Sequence, residues 1–179
     1  MAKLKIYTFP DQVLARQAHP IERVEKSLWS LAEDMLETMY AAPGVGLAAN
    51  QVGILKRILV IDTEYTSEEQ ENAPERVIAN RKPFVMINPE ITYREGLVEF
   101  SEGCLSIPDY TADVKRSEKI KVVYQDQDGL GQTLMADGLL AIAVQHEMDH
   151  LEGKLFIDRL SPLKKEIVRK KLRLRRSGQ

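Results

Sequence analysis

Residues 145–153 read Gln145-His146-Glu147-Met148-Asp149-His150-Leu151-Glu152-Gly153, and the rest of the chain is organised around this stretch. Its two histidines are four residues apart, so on an α-helix both imidazoles lie on one face and can bind one metal ion. Glu147 follows the first histidine, and its carboxylate can reach a water molecule on a metal that keeps an open position. The pattern therefore indicates a hydrolase site on a helix.

The residues around this pattern also favour a helix. Asp137 is a suitable N-cap, and Gly153 suits the C-terminal end. Apolar residues recur at helical spacing on the face that carries the histidines, namely Leu139, Ile142 and Ala143. Buried ring nitrogens need partners, and a metal ion would supply one. The alternative is a chance His-Glu-x-x-His pattern on a solvated helix.

Length and composition predict one domain. The chain has 179 residues, 44% of them hydrophobic, which is enough to bury a sizeable core. No uncharged apolar run approaches the roughly 18–20 residues of a membrane span, and residues 1–5 lack a secretory apolar core. The single cysteine, Cys104, excludes an intramolecular disulfide. We expect a cytoplasmic protein without membrane association.

The charge is unevenly distributed. The whole chain has a net charge of −2, but the segment after Ser161 carries eight basic residues against one acidic residue, a net charge of +7. Ser161-Pro162 predicts a helix start, and the expected docking stripe of this helix is Leu163, Ile167, Leu172 and Leu174. A basic helix on an acidic body indicates a polyanionic partner such as RNA; a solvated face is the alternative. We expect no specific DNA partner.

The remaining pattern predicts a mixture of helix and strand. Apolar residues at helical spacing predict a packing helix over 25–40. Predicted strands cover 3–7, 57–61, 84–87 with a stop at Asn88-Pro89, and 96–100. A hairpin over 119–125 and 133–135 leads into the histidine helix. Residues 62–83, rich in Glu, Asn and Thr, predict a long exposed loop.

Two further stretches carry unusual chemistry. The small-residue run 42–53 contains Gly44 and Gly46, which allow another backbone to approach closely, as a peptide substrate would. It lacks the Gly-Lys-Ser/Thr ending and the GxGxxG spacing of phosphate-binding loops. Cys104 stands between Gly103 and Pro108, where its thiolate is a candidate third ligand beside the two imidazoles. A small buried hydrophobe is the alternative for a lone cysteine.

Three stretches together resemble the signature motifs of the peptide deformylase family, in the same order. They are Gly44-Val45-Gly46-Leu47-Ala48-Ala49-Asn50-Gln51, Glu102-Gly103-Cys104-Leu105-Ser106 and Gln145-His146-Glu147-Met148-Asp149-His150-Leu151. The similarity covers nearly the whole chain and is nearest to the bacterial type 1 enzymes. It implies an α+β fold with antiparallel β-sheets packed around a central metal-binding helix, followed by a C-terminal helix. We expect residues 1–161 to form the catalytic domain and residues 162–179 to extend it.

The resemblance also implies an activity and a set of roles. The expected reaction removes the N-formyl group from the initiator methionine of new polypeptides and releases formate. The expected ion is Fe(II), with Zn, Ni or Co as substitutes, although the ligand types alone favour zinc. Its expected ligands are Cys104, His146 and His150, and Glu147 is the expected general acid and base.

Further roles follow from the same resemblance. The Gln51 amide and the Leu105 N–H are expected to stabilise the oxyanion, and Glu102 with Arg116 to orient the cysteine loop. Backbone groups of Val45 and Gly46 are expected to pair with the peptide. The expected methionine pocket is lined by Val45, Leu139, Ile142 and Ala143.

Two features of this chain differ from the family pattern, and a third indicates a binding partner. Thr111 stands where bacterial members carry Arg, which affects substrate contacts beyond the methionine, and the acidic segment 64–81 is longer than in compact members. The basic C-terminal helix is similar to one that docks near the ribosomal exit tunnel, so a ribosomal partner is expected.

Two other functions remain open at this point. A zinc endopeptidase shares the His-Glu-x-x-His pattern, and its third ligand would come from Glu152, Asp158 or Glu166. A ribosome-binding protein without catalysis is the second alternative.

Overall fold

The computed structural model describes residues 3–68 and 77–177 of the chain. These residues form three α-helices and nine β-strands. The helices are α1 (Lys26–Ala41), α2 (Gly138–Leu151) and α3 (Pro162–Ser177). The strands are β1 (Gly46–Ala48), β2 (Ile58–Ile61), β3 (Thr66–Glu68), β4 (Val77–Ala79), β5 (Phe84–Glu95), β6 (Val98–Cys104), β7 (Ile107–Arg116), β8 (Lys119–Gln125) and β9 (Gly131–Asp137).

A five-stranded antiparallel sheet lies between α1 and α2. Its strand order is β1-β2-β5-β8-β9. Alternate residues of β2 point to opposite faces, so Leu59 and Ile61 pack in the cluster that includes α2, whereas Ile58 and Val60 pack in the cluster that includes α1. All four β2 residues are buried, which explains the uninterrupted apolar run. The predicted α+β architecture is confirmed.

The second sheet is a two-stranded ribbon of β6 and β7, joined by a tight turn at Leu105 and Ser106. Its Glu102, Cys104 and Arg116 side chains contact His146, His150 and Asp149 of α2. A third apolar cluster joins β7, the turn Phe156–Arg159 and α3. Helix α2 therefore contacts both the large sheet and the ribbon.

Helix α2 begins and ends where the sequence predicts. Asp137 is its N-cap residue, although its side chain makes no capping hydrogen bond. Gly153 follows with a φ of 68°, a left-handed conformation that glycine adopts without strain. An added Cβ there would lie 2.7 Å from the Ala15 carbonyl oxygen, so the position after the helix also requires glycine because a side chain has no room.

Helix α3 begins at Pro162, as predicted, but the predicted docking stripe is largely wrong. Val168 and Leu172 are buried, whereas the other apolar residues are exposed: Leu163 by 70%, Ile167 by 58% and Leu174 by 64%. Val168 and Leu172 are one turn apart and reach the third cluster together. The helix therefore keeps a second apolar face in solvent.

Three strand predictions need correction. Residues 3–7 form no strand, because Leu4 N–H donates to Thr38 Oγ1 (2.9 Å) and Tyr7 N–H to the Gln51 carbonyl (2.7 Å). Strand β5 continues past Pro89 through a bulge in which Asn88 has a φ of 51°. The strand predicted over 96–100 runs instead from Val98 to Cys104.

The predicted exposed loop 62–83 is only partly correct. Thr66–Glu68 and Val77–Ala79 pair as a short antiparallel hairpin, and β3 is exposed. Asp62, at the start of the segment, is fully buried. Residues 69–76 lie outside the described part of the chain. Within the described ranges, no helix is both long and apolar enough to cross a bilayer.

Candidate active site

Two imidazoles converge on one face of α2. His146 and His150 are one helical turn apart, and their Nε2 atoms lie 3.3 Å from each other. His146 is 8% and His150 1% exposed, so both rings are largely removed from water. Their rings meet edge to face, with centroids 5.0 Å apart. The helix thus brings together two ring nitrogens whose lone pairs could bind one metal ion.

Cys104 joins these nitrogens from the end of β6. Its Sγ lies 3.2 Å from His150 Nε2, and the ligand atoms of Cys104, His146 and His150 all lie within 4.8 Å of one another. The tight turn after Cys104 directs the thiol back towards α2, and Ser106 N–H donates to Sγ at 3.4 Å. A residue 42 positions before the first histidine therefore completes the cluster.

The geometry of these groups fits a metal ion. Two ring nitrogens and a sulfur face a common point, where lone pairs of neutral imidazoles and a thiolate would repel one another without a cation. Glu147 Oε2 and His150 Nδ1 are both buried, and neither atom has a hydrogen-bond partner among the described residues. Three protein ligands leave a fourth position for water or substrate, as in catalytic zinc-type sites.

Glu102 fixes the orientation of His146. Its carboxylate lies 2.8 Å from His146 Nδ1, and Arg116 donates to it through Nε at 2.6 Å and Nη2 at 2.9 Å. A proton on Nδ1 leaves the Nε2 lone pair free for a cation. Burial alone would raise the pKa of the Glu102 carboxyl, but hydrogen bonds from Arg116 and His146 lower it.

The ion-pair network extends further than the sequence suggested. Arg116 Nη1 donates to Asp149 Oδ2 at 2.6 Å, and Arg159 donates to both Asp149 oxygens. Burial acts to raise the pKa of the Asp149 carboxyl, but the hydrogen bonds and charges of Arg159 and Arg116 lower it. In the sequence, the position of Asp149 directly before His150 marks it as a candidate site residue. Its partners, Arg116 and Arg159, lie 33 and 10 positions away, so the sequence does not identify them.

Gln51 presents its amide nitrogen to the cysteine. Its Oε1 accepts from Ala48 N–H at 2.8 Å, which fixes the orientation of the amide group. Its Nε2 then faces Cys104 Sγ at 3.6 Å and Ser106 Oγ at 3.2 Å. Gln51 is 1% exposed, so this donor lies in a site from which water is largely excluded.

Glu147 lies against the backbone of β1. A Cβ built on Gly46 would lie 2.6 Å from Glu147 Oε1, so only glycine lets the strand come this close. The carboxylate is 4% exposed, and burial raises its pKa to about 7 in the protein alone. A cation bound beside it would favour the charged form and lower that pKa.

A cavity of about 360 Å³ opens beside these groups. Its walls include Gly46, Gln51, Cys104, His146 and Glu147. The residues that sequence reasoning placed in a side-chain pocket also line it: Val45, Leu139, Ile142 and Ala143. Phe100 is a further lining residue that the sequence reasoning missed, although it is an aromatic residue four positions before Cys104.

The acidic residues considered as a third metal ligand lie elsewhere. Glu152 pairs with Arg57 at 2.6 Å, and Asp158 pairs with Lys165 at 2.7 Å. Glu166 is exposed on α3. Over residues 3–68 and 77–177, the one group of metal-type ligands is Cys104, His146 and His150. This arrangement argues against an endopeptidase-type site.

Known proteins share both the sequence and the fold. The polypeptide deformylase family model matches residues 3–166. The chain is 50% identical over 175 residues to peptide deformylase 2 of Xanthomonas campestris pv. campestris, covering 96% of this chain and 95% of that protein. The crystal structure of a peptide deformylase from Legionella pneumophila is similar, with a TM-score of 0.82, 42% identity, and coverage of 99% and 98% of the two chains. A peptide deformylase from Ehrlichia chaffeensis in complex with actinonin has a TM-score of 0.84 at 38% identity, with 98% of both chains covered.

Proposed function

Because the chain belongs to the peptide deformylase family, metal-dependent hydrolases that remove the N-formyl group from nascent peptides, we propose that Cys104, His146 and His150 hold its catalytic ion. The observation that carries this assignment is the convergence of Cys104 Sγ and the two Nε2 atoms beside an open cavity. Glu102 and Arg116 act behind these ligands by holding His146 in one tautomer. Residues 1–161 form the catalytic domain, and α3 extends it through Val168 and Leu172.

Glu147 is the proposed general acid and base. An ion in the site would acidify water and polarise the formyl oxygen. Glu147 takes a proton as water adds to the formyl carbon, and then delivers a proton to the amine nitrogen as the carbon–nitrogen bond breaks. Formate and a free methionine amine are the products. The buried, partly unsatisfied carboxylate of Glu147 supports this role.

Gln51 and Leu105 are the proposed oxyanion donors. Gln51 supports this role through its pinned amide, whose Nε2 faces the cysteine side of the cavity. Leu105 occupies the turn directly after Cys104 and lines the same cavity. Preorganised donors in such a site stabilise developing negative charge without reorganisation.

The substrate peptide is proposed to add to the open edge of β1. Among the described strands it is at the end of the sheet order and pairs with β2 alone. Val45 N–H and Gly46 C=O would pair with the peptide, while the Val45 carbonyl already accepts from Asp62 N–H at 2.9 Å. The methionine side chain would occupy the apolar part of the cavity, which is lined by Val45, Leu139, Ile142 and Ala143.

Fe(II) is the proposed resident ion, with Zn, Ni or Co as possible substitutes. The resemblance to the family supports iron, whereas one thiolate and two imidazoles are equally typical of zinc. Metal analysis of protein purified without oxygen, measured beside activity, tests this assignment. Iron near one equivalent per chain supports it, and zinc in its place with full activity would contradict it.

The decisive experiment measures formate release from formyl-Met-Ala-Ser. The wild type should hydrolyse this peptide, and Glu147→Gln should lose about 10²- to 10⁴-fold in kcat while keeping its metal. Glu99→Gln is a matched control, because Glu99 is an exposed carboxylate on β6 and should leave both properties unchanged. Full activity in Glu147→Gln would exclude the proposed role.

The basic helix α3 is proposed to bind the ribosome near the exit tunnel, in the cytoplasm. Its net charge of +7 and its exposed apolar face, including Ile167 and Leu174, support a polyanionic partner with apolar patches. Co-sedimentation with ribosomes should be lost on truncation after Ser161. Because truncation also uncovers Val168 and Leu172, the double substitution Lys170→Glu and Lys171→Glu keeps these contacts and should weaken binding too. Equal binding by all three proteins would contradict the proposal.

A further inference from the structure

The segment 62–83 is tied at both ends to one buried carboxylate. Asp62 Oδ1 accepts from the N–H groups of Glu64 (3.0 Å) and Tyr65 (3.1 Å). Its Oδ2 accepts from Lys82 N–H (2.8 Å) and from the Tyr40 hydroxyl (2.7 Å). Asp62 is fully buried, so these four hydrogen bonds hold the two ends of the segment at a fixed place beside α1 and β2.

Tyr65 extends from this anchor to Gly44, which lines the cavity. Its hydroxyl donates to the Gly44 carbonyl at 3.1 Å, and its ring packs edge to face on Tyr40, with centroids 4.9 Å apart. Both the backbone and the ring of Tyr65 are therefore held in place. The residue is half-buried and lies 21 positions from the glycine that it contacts.

Gly44 is the residue directly before the proposed peptide-pairing groups. It lines the cavity, and an added Cβ would lie 2.7 Å from Leu105 Cδ1. The backbone of Gly44 is thus held between the Tyr65 hydroxyl and the Leu105 side chain. Val45, which follows, is fastened to Asp62 through its carbonyl. Asp62 and Tyr65 therefore hold this edge from one side, in addition to the hydrogen bond from Gly44 N–H to the Met39 carbonyl at 3.0 Å.

We propose that Tyr65 is a positioning residue for substrate binding, whose hydroxyl holds the Gly44–Gly46 edge at the distance that a peptide backbone requires. The inference rests on the proposed pairing of the substrate with this edge. It gives the described ends of the segment 62–83 a role in the site, because Asp62 and Tyr65 act through the backbone of Gly44 and Val45.

The substitution Tyr65→Phe tests this role, because it keeps the ring contact with Tyr40 and removes only the hydroxyl. A neutral hydrogen bond of this kind changes affinity by about 3- to 10-fold. Pairing with the peptide backbone is the same in the ground state and the transition state, so KM for formyl-Met-Ala-Ser should rise by that factor with kcat unchanged. The effect should be smaller for formyl-methioninamide, which lacks the following residues.

Amide hydrogen exchange provides a second readout that does not depend on activity. In the full chain without peptide, exchange of the backbone amides over 44–48 should accelerate at least about threefold in Tyr65→Phe, with α2 unchanged. Tyr93→Phe is the matched control, since the Tyr93 hydroxyl bonds to Glu95 on an exposed part of β5. It should change neither KM nor exchange.

The outcomes separate this inference from the proposed function. A fall in kcat with unchanged KM, or unchanged KM and exchange together, would overturn the role of Tyr65. If the wild type fails to hydrolyse formyl-Met-Ala-Ser, the proposed function is wrong, whereas the exchange comparison still decides whether Tyr65 holds the edge.

Discussion

Gly46→Ala is the most direct test of the contact between β1 and Glu147. The added Cβ would lie 2.6 Å from Glu147 Oε1, 2.7 Å from Cγ and 2.9 Å from Cδ. All three atoms belong to the proposed general acid and base. Because Gly46 pairs with Ile61 of the buried strand β2, the strand cannot easily retreat, and the glutamate has to move instead.

The size of the effect follows from the distance. To reach an ordinary contact of 3.4 Å, the carboxylate oxygen must move by about 0.8 Å. A displacement of about 1 Å in a catalytic group costs about 10²-fold in rate, or about 2.7 kcal/mol of transition-state stabilisation. We therefore expect kcat for formyl-Met-Ala-Ser to fall by about 10²-fold, with the metal content unchanged.

The assay measures kcat, KM and bound metal for Gly46→Ala and for the matched control Gly131→Ala. An added Cβ at Gly131 meets nothing within 4 Å, so the control should behave as the wild type. Glu147→Ala removes all three clashing atoms, so Gly46→Ala combined with Glu147→Ala should be no worse than Glu147→Ala alone. A folded Gly46→Ala protein with kcat within twofold of the wild type would refute the reasoning.

Three further predictions concern the ligand set, the buried ion pairs and the docking of α3. Cys104→Ala should lower bound metal at least about tenfold by elemental analysis, because the described residues offer no acidic ligand in its place. Arg116→Met should lower the free energy of unfolding by about 3–5 kcal/mol in urea titrations, because the buried Glu102 loses its cation and the buried Asp149 keeps only Arg159, whereas Lys115→Met, at an exposed site, should change it little. Burial would raise the pKa of Asp158, but the Leu155 N–H, Lys165 and Arg169 lower it. Its stabilising effect should therefore be present above about pH 4 and disappear below it, so the Tm values of the wild type and Asp158→Asn should differ at pH 7 and converge as the pH falls.

Each of these has a contradicting result. Metal retention in Cys104→Ala would favour an endopeptidase-type site. Equal losses of stability in Arg116→Met and Lys115→Met would show that the buried pairs contribute nothing specific. A Tm difference for Asp158→Asn that stays constant down to pH 2 would contradict the proposed linkage.

The histidine helix could be predicted because its signals are local. The spacing of His146 and His150, the apolar face before them and Gly153 all lie within one helix length, and the structure places α2 at 138–151. Strands β2 and β8 were likewise predictable from short apolar or alternating runs. The spacing of apolar residues within one element can be read directly from a single sequence, and such elements are therefore predictable.

Contacts between distant segments decided what the sequence could not show. Pro89 looked like the end of a strand, but the Asn88 side chain bonds to the Ile21 backbone at 2.8 Å and stabilises a bulge through which β5 continues. Helix α3 has apolar residues at helical spacing on two faces, so the sequence does not show which face is buried. Val168 and Leu172 are buried because their face contacts the third apolar cluster. The partners of Asp149 lie 10 and 33 positions away, and two of the four partners of the Asp62 carboxylate, Lys82 and Tyr40, lie 20 and 22 positions away.

The ligands of the proposed ion come from the β6–β7 ribbon and from α2, two elements that are separated along the chain by β8 and β9. An ion bound by both would act as a cross-link between them, and its binding free energy would add directly to the stability of the native state. Removing the ion would then loosen the ribbon first, because its remaining links to the rest of the molecule are the Glu102–Arg116–Asp149 ion pairs, hydrogen bonds such as Phe9 N–H to the Ser106 carbonyl, and the apolar contacts of β7. For this protein, metal supply and resistance to proteolysis in the cell would therefore be one linked property.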